Sequence, residues 1–166
     1  MDARDILSDA ASRPLAAIRA VAEHVTAENL NAHPGGHDNS IAWLLWHMGR
    51  EIDVQVAHLA GTEELWTARG YARELGIESE GIGYGHTPEQ ARAVTASDPQ
   101  LLLDYLTAAT AALQEYLAGL DSGALGEVID SDWDPPVTRG TRLVSIIDDA
   151  AQHAGQVGYA LAITPG

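Results

Sequence analysis

The sequence contains no cysteine, no lysine and no phenylalanine in its 166 residues. The lack of cysteine excludes disulfides, thiolate metal ligands and a cysteine nucleophile. The lack of lysine excludes a Schiff-base lysine and the lysine of a phosphate-binding P-loop. Any thiol that takes part in this protein's chemistry must therefore come from another molecule.

Positive charge is also scarce, because nine arginines stand against 24 acidic residues and the net charge is −15. Such a surface repels phosphate backbones and anionic lipids, so we expect neither nucleic acid nor a membrane as partner. The chain has no apolar run of about 18 residues, and its acidic first residues contain no apolar signal segment. We expect a cytoplasmic protein in which residues 1–166 form a single domain.

Four long stretches show apolar residues at helical spacing, and almost no strand pattern is present, which predicts an all-α fold. Pro14 falls inside the first stretch and predicts a kink or a new helix start there. The helices are expected at residues 4–28, at 41–60 between a cap at Asn39 or Ser40 and an end at Gly61, from Asp98-Pro99 to Leu120, and at Thr141–Ile163 between a cap at Thr141 and a stop at Pro165.

The connection between the second and third helices, residues 62–97, is the longest. It contains a short turn at EELWTA, a glycine-rich run at GIESEGIGYGH and a helix-start signal at Thr87-Pro88. The GIGYG segment follows no predicted strand, so we interpret it as a flexible loop rather than a nucleotide-binding loop. This arrangement predicts a four-helix bundle with a long crossover between helices 2 and 3.

The connection before the fourth helix, DSGALGEVIDSDWDPPVTRG, has a strand-like fragment at Glu127–Ile129. Trp133 follows it, beside a proline-rich turn. We expect Trp133 to pack under this loop, with a position at the mouth of a pocket as the alternative.

The fourth helix carries a constellation of polar side chains on its apolar stripe. Asp149 and His153 are four residues apart and therefore share a face, and Arg142 lies seven residues before Asp149. On the second helix, His47 stands among Trp, Leu and Met, which indicates a buried histidine that must hydrogen-bond or coordinate. Polar groups on a core-facing stripe destabilise the fold unless they are satisfied, so the pattern indicates a site.

Three protein ligands with one open position is the arrangement of catalytic zinc, and bundles build such sites from facing helices. His47, Asp149 and His153 fit that pattern, and Ni²⁺ or Fe²⁺ would also accept these donors. The competing interpretation is an Asp149–His153 ion pair beside a hydrogen-bonded core histidine. The di-iron Glu-x-x-His, HExxH and GxSxG motifs are absent, and the loop residues His33 and His37 are expected to be solvated.

The chain resembles the DinB-like superfamily of four-helix bundles, and most closely the branch with mycothiol-dependent maleylpyruvate isomerase and thiol S-transferases. The resemblance rests on NSIAWLLWHMGREID (39–53), GYGHTPEQ (83–90), WDPPVT (133–138) and DDAAQHAGQ (148–156). It implies that His47, Asp149 and His153 bind one divalent metal, zinc before Ni or Fe. The isomerase branch has Glu where this chain has Asp149.

The same resemblance implies a homodimeric S-transferase or isomerase that uses a mycothiol-like thiol and acts on a small electrophilic molecule. Arg142 would then hold a carboxylate through its planar guanidinium, and Trp43 and Trp133 complete the candidate substrate-binding residues. A metal-dependent hydrolase, a non-catalytic sensor that binds a metal or ligand, and a purely structural bundle remain the alternatives at this point.

Overall fold

The computed structural model describes residues 2–79 and 81–164. Within this part of the chain, four long helices form a bundle, three short helices lie in the crossover, and one small antiparallel sheet precedes the last helix. The predicted all-α bundle with its long crossover is therefore confirmed. The long helices are α1 (Ala3–Val21), α2 (Ile41–Ala60), α6 (Pro99–Gly119) and α7 (Arg139–Ile163); the crossover helices are α3 (Leu65–Ala68), α4 (Tyr71–Leu75) and α5 (Pro88–Ala93); the strands are β1 (Val128–Asp130) and β2 (Val137–Thr138).

Helix α2 is the most buried of the four long helices, and every residue from Ile41 to Asp53 is buried. Both α1 and α2 pack against α6 and α7, so α1 and α2 occupy opposite corners of the bundle. Each large apolar side chain that α2 buries contributes about 1.5–3 kcal/mol. Ser40 accepts a hydrogen bond from the Trp43 amide, and Gly61 ends the helix in a left-handed conformation, as predicted.

Helix α1 is shorter than predicted, since it ends at Val21 rather than at residue 28. A 3₁₀ turn, Ala22–His24, follows it. The Asn29 side chain then donates to the His24 carbonyl and accepts from the Thr26 amide, and such local bonds compete with helix continuation. Pro14 lies inside one continuous helix, so it does not start a new one.

The start of α7 also differs from the prediction. Thr138, not Thr141, is the cap, because its hydroxyl accepts the Thr141 amide at 3.2 Å. The helix therefore begins at Arg139, and the predicted stop at Pro165 lies outside the described residues. The predicted strand fragment is confirmed with a shift of one residue, but Trp133 is 65% exposed, so its predicted packing under the loop is wrong.

The crossover is fastened to α2 by two buried charged residues. Asp53 accepts the amides of Leu65 and Trp66 at 2.8 Å each, which caps α3. Arg50 donates to the Gly81 carbonyl at 3.3 Å. These contacts fix both ends of the segment that leads back to the candidate site. None of the helices in the described residues is long and apolar enough to cross a membrane.

Candidate metal centre

Side chains from α2 and α7 converge at the candidate metal centre. Asp149 and His153 are one turn apart on α7, and His47 approaches them from α2. His47 Nε2 lies 3.6 Å from Asp149 Oδ2, and His153 Nε2 lies 3.6 Å from Asp149 Oδ1. One potential ligand atom from each of the three residues lies within 4.8 Å of the others. The bundle thus brings together the three residues that the sequence singled out.

The orientation of His47 is set by the crossover loop. Its Nδ1 hydrogen-bonds to the Ile82 carbonyl, which requires the proton on Nδ1 and leaves the Nε2 lone pair directed at Asp149. Trp43 stacks on the same imidazole with ring centroids 4.6 Å apart. A carbonyl that orients the far nitrogen of a histidine is the usual support of a metal ligand.

His153 is oriented in the same way from within its own helix. Its Nδ1 lies 2.8 Å from the Gln156 side-chain oxygen, so Nδ1 donates and Nε2 is again the nitrogen that faces Asp149. The two imidazole rings are almost perpendicular, with centroids 4.6 Å apart. Both histidines therefore present an unprotonated nitrogen toward one carboxylate.

The carboxylate itself is not satisfied by the protein. Asp149 Oδ2 is buried and has no hydrogen-bond partner within the described part of the chain. Two ligand atoms that share a tetrahedral zinc lie about 3.4 Å apart, close to the two imidazole–carboxylate distances here. An orphaned buried carboxylate oxygen facing two imidazole nitrogens fits a divalent cation better than an ordinary ion pair.

The ionisable groups of the cluster perturb one another. Burial lowers the pKa of His47. Burial also acts to lower the pKa of His153, but its contact with Asp149 and its hydrogen bond to Gln156 outweigh burial, so that pKa is raised. Burial opposes ionisation of Asp149, yet its interactions with His153 and the charge of His47 lower its pKa. Asp149 is thus held ionised, as a ligand must be.

A pocket of about 600 Å³ opens beside His47 and Asp149, and we call it the charged pocket. Arg142 reaches it from α7, held by the Gln55 side chain at 3.2 Å and by Asp130 at 3.5 Å. The exposed rings of Tyr84 and Trp133 form its rim. The charged pocket is defined by His47, Glu51, Gln55, Tyr84, Trp133, Arg142 and Asp149.

Of the three predicted substrate-binding residues, Arg142 and Trp133 line this pocket. Trp43 is buried and packs behind His47 instead. No role was predicted for Glu51 from the sequence. Its position one helical turn after His47 nevertheless places the two side chains on the same face of α2. Burial, with a smaller contribution from the charge of Asp149, raises the pKa of Glu51 to about 7, so this pocket carries a carboxyl group that titrates near neutral pH.

The glycine-rich segment is packed against this centre, although the sequence indicated only a flexible loop. Gly83 is buried with φ +96°, and a Cβ there would lie 2.9 Å from Trp43 and 3.0 Å from His47 Nδ1. The absence of a side chain at this position allows the Ile82 carbonyl to reach His47.

Gly83→Ala is expected to lower the free energy of unfolding by about 1–3 kcal/mol and to weaken metal binding, because the new methyl group displaces His47 or the loop. Gly85→Ala is the matched control, since Gly85 also has positive φ but has nothing within 4 Å of its Cβ position. Urea unfolding and zinc titration check both variants. Equal effects of the two substitutions would contradict the crowding at Gly83.

The fold and this cluster together define a helical bundle with a potential divalent-metal site between α2 and α7. The chain belongs to the mycothiol-S-transferase family, whose model matches residues 6–160. The resemblance to DinB-like bundles of the thiol S-transferase branch, noted from the sequence, is thereby confirmed.

A solved structure of a conserved protein from Enterococcus faecalis is similar over almost its whole length. The two chains are 34% identical and superpose with a TM-score of 0.91, covering 98% of this chain and 97% of the other. No curated protein matches the sequence.

Proposed function

We propose that this protein is a metal-dependent transferase that joins a low-molecular-weight thiol of the mycothiol type to a small electrophile. The observation that carries the proposal is the convergence of His47, Asp149 and His153 at the end of a pocket that also contains an arginine. Membership of the mycothiol-S-transferase family supports the thiol as cosubstrate. Zn²⁺ is the first choice of metal, with Ni²⁺ or Fe²⁺ as alternatives.

His47, Asp149 and His153 would hold the metal, each through the atom that already faces the other two. A bound divalent metal would supply the Lewis acidity that lowers the pKa of a thiol and yields thiolate at neutral pH. Asp149 brings one negative charge to the ligand set. A metal held by this set would therefore be a weaker Lewis acid than one held by three neutral histidines.

The sulfur must come from the cosubstrate, because the chain has no cysteine. In the overall reaction the sulfur forms a bond to the electrophilic carbon and the thiol proton is released to water. In a substitution, the leaving group departs with the electron pair of its bond to that carbon. The balance requires neither an oxidant nor a reductant.

Arg142 is proposed to bind a carboxylate of a substrate, because its guanidinium is held in the charged pocket by Gln55 and Asp130. Trp133 would cover the apolar part of that substrate, and Trp43 would keep the His47 ring in place. The single domain, the homodimer and the cytoplasmic location stay predictions.

Arg142→Ala is expected to raise KM for a carboxylate-bearing electrophile by roughly 10–100-fold, with a smaller change in kcat, because it removes binding shared by ground and transition states. The KM for an electrophile without a carboxylate should change little in the same variant. Arg13→Ala is the control, since that arginine is exposed on α1 and pairs with Asp9. Equal losses with both electrophiles would contradict the carboxylate role.

Metal affinity is expected to fall as the pH is lowered, because a protonated histidine cannot coordinate. The raised pKa of His153 places the onset of this loss above the usual histidine value of about 6.5. Asp149 stays ionised through this range, since its pKa is lowered. Zinc titrations from about pH 8 to about pH 5 check this, and occupancy unchanged down to about pH 4.5 would show that these residues are not the ligands.

The test of the proposed function is conjugation of a model electrophile, such as a haloarene or a bimane, with mycothiol, bacillithiol, glutathione and coenzyme A in parallel. We expect metal-loaded protein to accelerate conjugation with mycothiol most. If no thiol reacts faster with this protein than with His47→Ala, the transferase proposal fails. A hydrolase or a sensor would then be the better interpretation.

A further inference from the structure

A second pocket, of about 540 Å³, opens beside the metal centre. His153 is in its wall, whereas His47 and Asp149 line the charged pocket. Because one ligand atom of each residue lies within 4.8 Å of the others, each pocket is lined by part of the same three-residue cluster. We call the second one the neutral pocket, and it is defined by His37, Asn39, His153, Gln156, Tyr159 and Ile163.

The two pockets differ in charge. The charged pocket contains Glu51, Arg142 and Asp149. Among the described residues that line the neutral pocket, none carries a carboxylate or a guanidinium. The neighbouring Asp38 is paired with Arg92 at 2.7 Å. A charged ligand in the neutral pocket would therefore meet neither a carboxylate nor a guanidinium group among these residues to offset its desolvation.

The polar groups of the neutral pocket suit hydroxyl groups. His37 Nδ1 accepts the Asn39 amide at 3.1 Å, so the proton of this imidazole lies on Nε2, which can donate. The Asn39 carboxamide makes no hydrogen bond to the described part of the chain and offers a donor and an acceptor. Gln156 uses its oxygen on His153 and retains its amide hydrogens.

An aromatic ring completes this set. Tyr159 is 69% exposed, and its flat ring forms part of the pocket wall. A ring with an apolar face and a polar tip packs well against a molecule that has both C–H faces and hydroxyl groups. Uncharged donors and acceptors around an exposed aromatic side chain are the chemistry that recognises a sugar or a polyol.

We propose that the neutral pocket binds the hydroxyl-rich, uncharged scaffold of the thiol cosubstrate, while the charged pocket binds a carboxylate-bearing electrophile. This inference rests on the proposed transferase function. It assigns one substrate to the pocket lined by His153 and the other to the pocket lined by His47 and Asp149, so that the sulfur and the electrophilic carbon meet at the ligand cluster. Binding both partners at converging sites is what lowers the entropic barrier of a two-substrate reaction.

The first test is binding to the metal-free protein, which needs no catalysis. The probe is N-acetylglucosaminyl-inositol, which keeps the neutral scaffold of mycothiol and lacks the thiol. We expect calorimetry to show binding that Asn39→Ala and Tyr159→Ala each weaken about tenfold, the loss expected for one or two contacts. Arg142→Ala and Val144→Ala should leave it unchanged, since Arg142 lies in the other pocket and Val144 is an exposed residue of α7.

The second test compares steady-state kinetics with mycothiol and with N-acetylcysteinamide, a neutral thiol without the scaffold. Asn39→Ala and Tyr159→Ala should raise KM for mycothiol about tenfold and leave kcat/KM for the small thiol unchanged. Absence of scaffold binding, or its loss in Arg142→Ala alone, would overturn the assignment. If mycothiol is conjugated but its KM does not respond to either change, the assignment fails while the transferase function stands.

Discussion

Replacing His153 with alanine is expected to reduce the affinity for Zn²⁺ by more than about a hundredfold. Loss of a group that merely supports a ligand costs about 10–100-fold in affinity, and this substitution removes the ligand itself. The remaining His47 and Asp149 provide two donors, and two donors do not complete the three-ligand set of a catalytic zinc site. His47→Ala should have an effect of the same size from the α2 side.

Competition with a chelating dye measures these affinities. His24→Ala is the matched control, because that histidine is exposed and outside the cluster. Gln156→Ala should fall between the control and the ligand variants, since it removes only the acceptor that orients His153. An affinity in His153→Ala equal to that of the unaltered protein would exclude His153 as a ligand.

Asp53→Ala is expected to lower the free energy of unfolding by about 3–5 kcal/mol. Asp53 is 2% exposed and accepts the Leu65 amide, the Trp66 amide and the Tyr105 hydroxyl at 2.8–2.9 Å. Its removal leaves three donors without an acceptor, two of them buried, and each unsatisfied buried group costs about 1–3 kcal/mol. Arg50 also loses a carboxylate that lies 3.8 Å from its guanidinium.

Urea unfolding of metal-free protein measures this loss apart from metal binding. Asp148→Ala is the control, because that carboxylate is exposed on α7, and it should change stability by less than about 0.5 kcal/mol. The loss of stability in Asp53→Asn should lie between those of Asp53→Ala and Asp148→Ala, since the remaining amide oxygen can still accept a hydrogen bond. A loss below about 1 kcal/mol in Asp53→Ala would contradict the structural role of this carboxylate.

The long helices could be predicted because their signals are local. As expected, α2 begins after Ser40 and ends at Gly61, and α6 begins after Asp98. These boundaries could be predicted because a cap and its helix are adjacent in sequence. The predicted end of α1 was wrong because the hydrogen bonds of the Asn29 side chain to its neighbours compete with the helix. The spacing of apolar residues contains no information about these bonds. The predicted cap of α7 was wrong because Thr138 and Thr141, three residues apart, both carry a hydroxyl group that can cap a helix.

The candidate ligands could be proposed from spacing, but their support could not. His153 and Asp149 are four residues apart on one helix, so their proximity follows from helical geometry. The contact between His47 and the Ile82 carbonyl joins residues 35 positions apart, and it depends on the path of the crossover. The exposure of Trp133 is likewise set by the turn that follows β1, which residue type alone does not determine.

Thiol conjugation by metal-free and metal-reloaded protein tests the proposed transfer most directly. The protein is stripped with a chelator, and the rate of conjugation of mycothiol to one electrophile is then measured as Zn²⁺ is added back. We predict that the rate rises with occupancy and levels off at one metal per chain, and that the His47→Ala/His153→Ala double variant stays at the uncatalysed rate. A rate that is independent of added metal, or equal in the double variant, would contradict a metal-dependent thiol transferase.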